Sequence, residues 1–380
     1  MTIPLTPLDP ELATPAVVVE RARLAANLAR VQAIALERGV RLRPHVKTHK
    51  CLEIARAQLA GGAIGLTCSK IGEAEVFLDD GRASMTIAYP LVDARRAEAV
   101  MQRAHERDAE LRFVADSEAG VEALAWAARR TGATAPVMIE VDVGLHRCGI
   151  AEDDPRLVLL VDRIARSGSL RFLGLLAHAG HAYGAGNAEG VRRVAAEEAA
   201  ALARAKQRIE GAGHAVAEVS VGSTPTVLGS DTYAGITEIR PGNYVFLDLS
   251  PVRLGLATLD DVALHILATV VSVNDTHAIV DAGSKVLSSD LGPHGSGGGG
   301  FGLAFALDAP WTARHAMPVS RLSEEHGFVA HGGRPPSIGA RLRIVPNHSC
   351  PVANLADELV VVGPGAAPET WRVAARGRVR

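Results

Sequence analysis

Residues 41–50 of the chain read RLRPHVKTHK, a short β-type run that ends in a cluster of basic side chains. On both sides, from about Thr14 to Tyr244, short apolar runs alternate with longer helical runs rich in Ala, Arg and Glu. Roughly eight such strand–helix units in about 230 residues are what a closed (β/α)₈ barrel needs. The pattern therefore predicts a TIM barrel, with an open doubly wound sheet as the alternative.

The strands of this first part are short, and helical patterns separate them, beginning with Arg21–Arg38, which stops at Gly39. Strands are predicted at Ala16–Val19, Arg41–His45, Ile64–Thr67, Met85–Ala88, Leu111–Val114, Val137–Val141, Phe172–His178, Ala217–Val221 and Gly235–Ile239.

After Pro251 the β-type runs lack long helical partners. They are predicted at Val262–Val273, Ala278–Asp281, Leu342–Val345 and Leu359–Val362. The glycine cluster Gly295–Gly302 has no Lys-Ser or Lys-Thr ending of a phosphate loop, so it is predicted as a mobile surface loop. We therefore expect a barrel over residues 1–248 and a mostly β C-terminal domain over residues 249–380, with residues 1–14 free to pack on the β domain.

Composition and charge exclude several functional classes. The formal net charge is −2 and no Lys/Arg block stands out, which excludes the electrostatic footprint of a nucleic-acid binder. No apolar run approaches the length of a membrane span. The segment Met1–Pro15 carries Pro and acidic residues without a signal pattern, so we expect a cytoplasmic protein. The four cysteines are widely spaced, which is typical of free thiols or a metal ligand.

Five basic residues lie at the carboxyl end of the strand predicted at Arg41–His45 and directly after it, at the barrel end that carries active sites. They are Arg43, His45, Lys47, His49 and Lys50. A lysine held among other cations and close to apolar strands favours the neutral amine, which is the nucleophilic form. A solvated basic turn is the alternative.

Two later segments have the composition of anion-binding loops. Residues 221–226 read VGSTPT and residues 241–244 read PGNY, and each follows a predicted strand. Backbone N–H groups in such loops can hold a phosphate, although each segment alone is also typical of a simple turn.

A third pattern, PNHSCP at residues 346–351, contains His348 and Cys350. Two residues apart on a strand, their side chains would point to one face. Imidazole and thiolate suit Zn²⁺ with open positions, and the thiolate favours zinc over Mn²⁺ or Mg²⁺. A structural role is the alternative.

The motif RPHVKTHK resembles the cofactor-lysine motif of the D-serine dehydratase / D-threonine aldolase family, fold-type III pyridoxal-phosphate enzymes related to alanine racemase. The likeness extends from Thr14 to Trp371. In that motif the first lysine carries the cofactor, so the resemblance implies that Lys47, and not Lys50, forms a Schiff base with pyridoxal 5'-phosphate. It also implies a homodimer in which each β domain completes the neighbour's site.

The resemblance assigns further roles residue by residue. The phosphate would be held by Gly222, Ser223, Thr224, Gly242, Asn243 and Tyr244, and the remaining cofactor contacts would come from His45, Arg147, His178 and Arg240. His178 and Tyr183 are candidate catalytic residues beside Lys47, and His326 is expected to reach the metal site. Structural polar roles are the alternative for Arg147, His178, Tyr183 and His326.

Arg240 bears on the reaction, because the resemblance places it near the pyridine nitrogen of the cofactor. Arginine only donates hydrogen bonds, so it would keep that nitrogen unprotonated and disfavour a long-lived carbanion at Cα. A structural hydrogen bond from Arg240 to Glu238 or to the barrel rim is the alternative.

The metal motif resembles the dehydratase branch, which has His-x-Cys, more than the aldolases, many of which have His-x-Asp. The resemblance therefore implies a lyase with Zn²⁺, or else Mn²⁺, that dehydrates and deaminates a β-hydroxy D-amino acid such as D-serine or 3-hydroxyaspartate. Retro-aldol cleavage of D-threonine-like substrates is the alternative. A racemase and a non-catalytic cofactor carrier are less favoured, because neither explains the metal pair.

Overall fold

The computed structural model describes residues 3–81, 84–292 and 299–380. Its α-helices are α1 (Arg21–Glu37), α2 (Leu52–Ala60), α3 (Ile71–Asp80), α4 (Ala94–Glu106), α5 (Glu118–Thr131), α6 (Arg156–Arg166), α7 (Ala188–Gly211), α8 (Thr224–Gly229), α9 (Leu249–Arg253), α10 (Ser284–Leu287) and α11 (Ser349–Leu355).

Strands β1 to β10 are Ala16–Glu20, Arg41–Leu42, Leu66–Cys68, Met85–Pro90, Leu111–Ala115, Ala135–Asp142, Ile150–Ala151, Leu170–Ala177, Glu218–Val221 and Glu238–Ile239. Strands β11 to β18 are Leu264–Val273, His277–Val280, Gly302–Ala306, Met317–Leu322, Gly327–Ala330, Arg341–Pro346, Glu358–Val362 and Glu369–Arg372.

The first sheet is a closed parallel barrel. Its strands follow the order β2-β10-β9-β8-β6-β5-β4-β3, and a parallel bridge between His45 and Thr67 joins the two ends of that path. The helices between the strands cover the barrel and bury apolar side chains against it, for example Phe113 with Leu124. The prediction of a TIM barrel is confirmed, and the open sheet is excluded by the bridge.

The two barrel strands that fall furthest short of the prediction are β2 and β10. Arg41–His45 was expected to be one strand, but β2 ends at Leu42, and β10 begins only at Glu238. Pro44 follows β2 within two residues and cannot donate to a ladder, which fits the early end of β2. The segments beyond the strands are therefore free to form the turns of the site.

The first predicted strand does not belong to the barrel. β1 pairs antiparallel with β11 and parallel with β17, so it lies inside the sheet of the C-terminal domain. Val17, Val18 and Val19 are all buried, as expected of a strand covered on both faces. The domain boundary near residue 248 stays a prediction.

The C-terminal domain is built on a second, mostly antiparallel sheet. Its order is β12-β15-β14-β13-β16-β11-β1-β17-β18, and an extra pairing of β11 with β12 closes six of the strands into a small barrel. The expected mostly β domain is confirmed, although the sequence did not predict β13, β14, β15 or β18. Of the predicted glycine loop, residues 295–298 lie outside the described residues. Among the described helices, none is long and apolar enough to cross a membrane.

Candidate active site

Lys47 lies in a 3-10 turn, Val46–Thr48, directly beyond the carboxyl end of β2. The ring nitrogen Nδ1 of His45 caps this turn and accepts a hydrogen bond from the Lys47 backbone N–H at 3.3 Å. The half-buried side chain of Lys47 is thus presented on the barrel face where the other strands also end. Lys50 instead pairs with buried Glu73, with its Nζ 3.3 Å from the carboxylate.

Burial and local charge favour the neutral forms of the basic groups around Lys47. Burial lowers the pKa of Lys47, and Arg147 and Arg240 act in the same direction against the opposing charge of Cys350. Burial, with the charge of Lys47, holds the pKa values of His45 and His178 well below the ordinary range. The site therefore offers a lysine amine that loses its proton more readily than an exposed one.

The two predicted anion loops meet beside the lysine turn. A Cβ on Gly222 would lie 2.9 Å from the backbone of Arg240, and a Cβ on Gly242 would lie 2.8 Å from Thr48 Oγ1, so both positions need glycine for close approach. Backbone N–H groups at three positions donate to no other described residue: Gly222, Gly242 and Asn243. These free donors fit a phosphate group.

The side chains of Ser223 and Tyr244 are engaged elsewhere. Ser223 caps α8 in a reciprocal arrangement with Thr226, and its hydroxyl accepts the Thr226 N–H at 3.3 Å. The Tyr244 hydroxyl accepts a hydrogen bond from Gln58 at 3.0 Å, and the Tyr244 N–H donates to Thr224 Oγ1 at 3.1 Å. Ser223 and Tyr244 thus shape the two loops.

Arg240 is almost fully buried at the end of β10. Its guanidinium donates to Ser220 Oγ at 2.6 Å and to the Ala177 carbonyl at 2.7 Å. Glu238, named as an alternative partner, instead binds Arg43 at 2.8 Å and accepts from Ser220 Oγ at 2.6 Å. Arg240 is therefore linked to Glu238 through Ser220.

His178 and Tyr183 follow the end of β8 and face the same loops. The His178 ring donates from Nδ1 to the Gly222 carbonyl. Tyr183 is hydrogen-bonded to Thr224, and burial raises the pKa of its hydroxyl well above the ordinary range. Tyr183 therefore stays protonated, and both side chains are in place to contact a group bound between the loops.

His348 and Cys350 lie at the junction of β16 and α11, where His348 occupies the N-cap position of the helix without a side-chain cap hydrogen bond. The expectation that both sit on one strand was wrong, because the chain turns into a helix at Ser349, with Pro351 in its first turn, a favoured position for proline. His348 Nδ1 donates to Asp290 Oδ2 at 2.7 Å. Cys350 Sγ is hydrogen-bonded to Thr48 Oγ1 at 3.3 Å, beside Lys47.

The His348–Cys350 pair has the chemistry of a soft metal site. Burial raises the pKa of the Cys350 thiol, but the adjacent His348 outweighs it and holds that pKa below the ordinary value. Imidazole and thiolate together fit Zn²⁺. Within the described ranges, no group of three or more His, Cys, Asp or Glu side chains has metal-ligand geometry, so this pair would be completed by other ligands.

Arg147 and His326 take less central positions. Arg147 is exposed in the loop after β6, yet its charge acts on Lys47 and His178. His326 is exposed in the turn between β14 and β15, and among the described residues its side chain contacts neither His348 nor Cys350. The structure therefore does not bring His326 to the metal pair within one chain.

Sequence reasoning missed several polar residues of the site. Asp248 is fully buried and accepts a hydrogen bond from the Asn243 side chain, and Asp290 binds the His348 ring. Two buried carboxylates, Glu140 and Glu198, lie near Arg240, and burial raises the pKa of each to about 7. Only Asp248 had a local signal, the Asp-x-Ser-Pro pattern typical of a helix N-cap.

Comparisons with known proteins agree with this geometry. The family model of the alanine racemase N-terminal domain matches residues 19–250, and that of a putative serine dehydratase domain matches residues 263–362. The D-threo-3-hydroxyaspartate dehydratase of Delftia sp. (strain HT23) is 35% identical over 370 residues, covering 95% of this chain and 97% of the relative. This chain belongs to the D-serine dehydratase / D-threonine aldolase family.

Other members of the family span the same length. The D-threonine aldolase of Arthrobacter sp. is 33% identical and covers 98% of this chain and 96% of its own. The solved D-threonine aldolase of Filomicrobium marinum is 31% identical, with a TM-score of 0.86 over 99% of this chain and 100% of its own. The solved Delftia dehydratase has a TM-score of 0.88 over 96% of this chain and 98% of its own. Variants of that dehydratase replace a histidine and the cysteine two residues later by alanine, and the cysteine variant is in the metal-free form.

Proposed function

We propose that the chain is a pyridoxal-phosphate- and metal-dependent lyase that dehydrates and deaminates β-hydroxy D-amino acids, with 3-hydroxyaspartate or D-serine as substrate. The observation that carries the proposal is the 3.3 Å contact between Cys350 Sγ and Thr48 Oγ1, which brings the metal pair beside Lys47. Dehydration of a β-hydroxy amino acid is assisted by a base at Cα and by a Lewis acid at the β-hydroxyl. The similarity to the Delftia D-threo-3-hydroxyaspartate dehydratase and to the Arthrobacter D-threonine aldolase supports this substrate class.

The residues present fit the cofactor. Lys47 would carry it, the free N–H groups of the two glycine loops would hold its phosphate, and Arg240 would face its ring. When bound, the cofactor withdraws electrons from the substrate Cα and a divalent metal polarises the β-hydroxyl. His348 and Cys350 would hold that metal, for which we propose Zn²⁺, with Mn²⁺ as the second choice.

Three side chains take different parts in proton transfer and hydrogen bonding to the bound groups. Lys47, with its lowered pKa, takes the α-proton of the substrate. Arg240 is buried and already donates to Ser220 and to Ala177, so it can orient a ring nitrogen but not transfer a proton to it. Tyr183 keeps its proton and can donate a hydrogen bond to the substrate. The β-hydroxyl then leaves as water, and a second water molecule hydrolyses the released enamine, through its imine form, to a keto acid and ammonia.

Retro-aldol cleavage is the second candidate. It is supported by two D-threonine aldolases that match over almost the whole chain. It requires electrons to accumulate at Cα, which a donating Arg240 disfavours, whereas elimination needs little such accumulation. We therefore place dehydration first.

Product analysis separates the two reactions. The purified, cofactor-loaded protein is incubated with D-threo-3-hydroxyaspartate, D-serine and D-threonine in separate assays. Dehydration predicts a keto acid and one equivalent of ammonia. Glycine with an aldehyde or glyoxylate, without ammonia, would assign the aldolase reaction instead.

We also propose a cytoplasmic homodimer in which the β domain of one chain completes the neighbour's site, and a domain boundary near residue 248. Support for a reducing compartment comes from the cysteines, all four of which are free thiols. Light scattering of the protein as it elutes from a size-exclusion column gives the number of subunits. A monomer mass at the concentrations used in the activity assays would exclude the homodimer.

A further inference from the structure

Asp248 connects the barrel to residues 347–350 of the C-terminal domain, the segment that contains His348 and Cys350. Its side chain is fully buried at the start of α9. Oδ1 accepts the N–H of Ser250 at 2.9 Å. Oδ2 accepts both the Asn243 side-chain N–H at 2.6 Å and the backbone N–H of Ser349 at 2.8 Å. One carboxylate thus gathers three donors from three segments.

The donors lie next to the two proposed cofactor sites. Asn243 directly follows Gly242 in the phosphate loop, and its side chain also donates to Ser349 Oγ at 3.0 Å. Ser349 is the residue between His348 and Cys350. A second hydrogen bond joins the same two segments, because Ser250 Oγ donates to the Asn347 carbonyl at 2.9 Å. The backbone on either side of His348 is therefore fixed by residues 243–250.

The segment that supplies these hydrogen bonds, residues 243–250, contains one uncommon backbone conformation. Leu247 has φ of +53°, in the left-handed region that non-glycine residues seldom adopt, and its N–H donates to the Asn243 carbonyl at 2.8 Å. Such a conformation persists only where its surroundings hold it. Asp248 directly follows this residue.

The geometry points to Asp248 as a positioning residue that couples the phosphate loop to the metal pair, so that each bound group strengthens the hold on the other. This inference rests on the cofactor assignments of the proposed function. Filling one site fixes its loop and, through Asp248, orders part of the other, so the second group binds a site that is already arranged.

Replacing the carboxylate by an amide tests the idea. An amide has one oxygen acceptor, so in Asp248→Asn at least one of the three donors would face an N–H₂ group. The outer partners of metal ligands typically contribute about 10- to 100-fold in metal affinity. We expect Asp248→Asn, loaded with pyridoxal phosphate, to bind Zn²⁺ about 10- to 100-fold more weakly in competition with a chromophoric chelator.

The second readout is the rate at which pyridoxal phosphate leaves the loaded protein. In the natural chain, saturating Zn²⁺ should slow release by about 5-fold or more. In Asp248→Asn, release should no longer depend on Zn²⁺, even at saturation. A purely structural role would speed release equally with and without Zn²⁺. Wild-type zinc affinity in Asp248→Asn, or an unchanged effect of zinc on release, overturns the coupling.

Asp93→Asn is the matched control, because Asp93 caps α4 on the exposed side of the barrel through the N–H groups of Arg95 and Arg96. It should change neither measurement. If Asp248→Asn does not fold, Ser250→Ala decides, since it removes the bond from the Ser250 hydroxyl to Asn347 and should weaken Zn²⁺ binding about 2- to 10-fold. Unaltered zinc binding in Ser250→Ala then overturns the inference.

The same assays separate this inference from the cofactor assignments. A natural chain that retains neither pyridoxal phosphate nor Zn²⁺ overturns both. A natural chain that retains both groups, alongside an Asp248→Asn variant with the same zinc affinity and release rates, overturns the coupling alone.

Discussion

The lysine side chains at positions 47 and 50 show how three residues of separation lead to different chemistry. Burial and the charges of Arg147 and Arg240 lower the pKa of Lys47, so its amine is available as a nucleophile and base. Lys50 forms an ion pair with buried Glu73 instead, and only 5% of its surface is exposed. Paired in this way, Lys50 contributes to stability while Lys47 faces the open site.

The first prediction concerns the attachment of the cofactor. Lys47→Ala should lack the yellow absorption of the bound cofactor, and borohydride treatment should leave no cofactor mass on the protein, because no amine remains for the aldehyde. Loss of the base should lower the rate of substrate consumption about 10²- to 10⁴-fold.

The control for this variant is Lys206→Ala, on α7, whose ammonium pairs with Glu210 outside the site. It should keep the absorption, the adduct and the rate. Covalent cofactor mass on Lys47→Ala after reduction would show that another lysine carries the cofactor.

Residue chemistry close in sequence could be predicted, but contacts between distant segments could not. The motif at residues 43–50 predicts Lys47 as the cofactor lysine, since neighbouring residue types define it. Asp248 gave only an N-cap pattern, because its contact with Ser349 spans 101 residues of sequence. The bond between Asp290 and His348 likewise depends on how β16 meets α10 and its following loop.

At the scale of elements, the junction of β16 and α11 determines where the side chains of His348 and Cys350 lie. An apolar run followed by Pro-Asn-His-Ser-Cys-Pro fits a strand that continues or a helix that begins, and periodicity alone does not separate the two. The helix leaves the N–H of Ser349 outside the helical ladder, where Asp248 accepts it. A continuous strand would have aimed that N–H at a neighbouring strand instead.

Helix α7 supports the loop after β8 through a single carboxylate. Glu198 is 2% exposed, and its Oε1 accepts the N–H of Ala179, the residue after His178. Burial raises the pKa of Glu198 to about 7, against the opposing effects of Arg240 and the Ala179 N–H. The folded protein therefore binds a proton at Glu198 that the unfolded chain releases near pH 4.5.

The second prediction follows from this linkage. Because the folded state binds more protons between pH 4.5 and about 7, Glu198 lowers the free energy of unfolding as the pH rises through that window. Glu198→Gln stays neutral and can still accept the Ala179 N–H. It should be more stable than the natural chain at pH 8, on the order of 1–3 kcal/mol, and show no such gain at pH 4.

Urea unfolding at the two pH values measures this difference. Glu197→Gln is the matched control, since the neighbouring carboxylate on the same helix is exposed. It should shift neither curve by more than about 0.5 kcal/mol. A Glu198→Gln variant that is less stable than the natural chain at pH 8 would show that the ionised carboxylate is the stabilising form.

At the scale of the molecule, the site is assembled from both domains. The barrel supplies Lys47 and the phosphate loops, and the β domain supplies His348 and Cys350, which meet at the contact between Thr48 and Cys350. Strand patterns predicted a barrel and a β domain, because the apolar residues of each strand indicate that it is buried. They did not show that β1 lies in the second sheet, because the sequence of a buried apolar strand does not indicate which strands it pairs with.

The N-terminal strand is fixed in that second sheet by a buried ion pair. Glu20, at the end of β1, accepts from Arg343 of β16 at 2.8 Å, and each side chain is 2% exposed. Glu20 also accepts the Thr6 N–H at 3.0 Å, and Arg343 donates to the Thr6 carbonyl at 2.6 Å. The pair thus connects the first residues of the chain to one of the last strands.

Removing one partner should therefore weaken the whole molecule. Arg343→Met leaves the Glu20 carboxylate buried without its cation, which should lower the free energy of unfolding by about 3–5 kcal/mol. The double variant Glu20→Gln with Arg343→Met should recover part of this loss, because neither position of the pair then carries an unpaired charge. Arg376→Met, which breaks an exposed pair with Asp357, should cost less than about 1 kcal/mol. Urea unfolding followed by circular dichroism measures all three, and equal losses for Arg343→Met and Arg376→Met would show that the buried pair does not hold β1 in place.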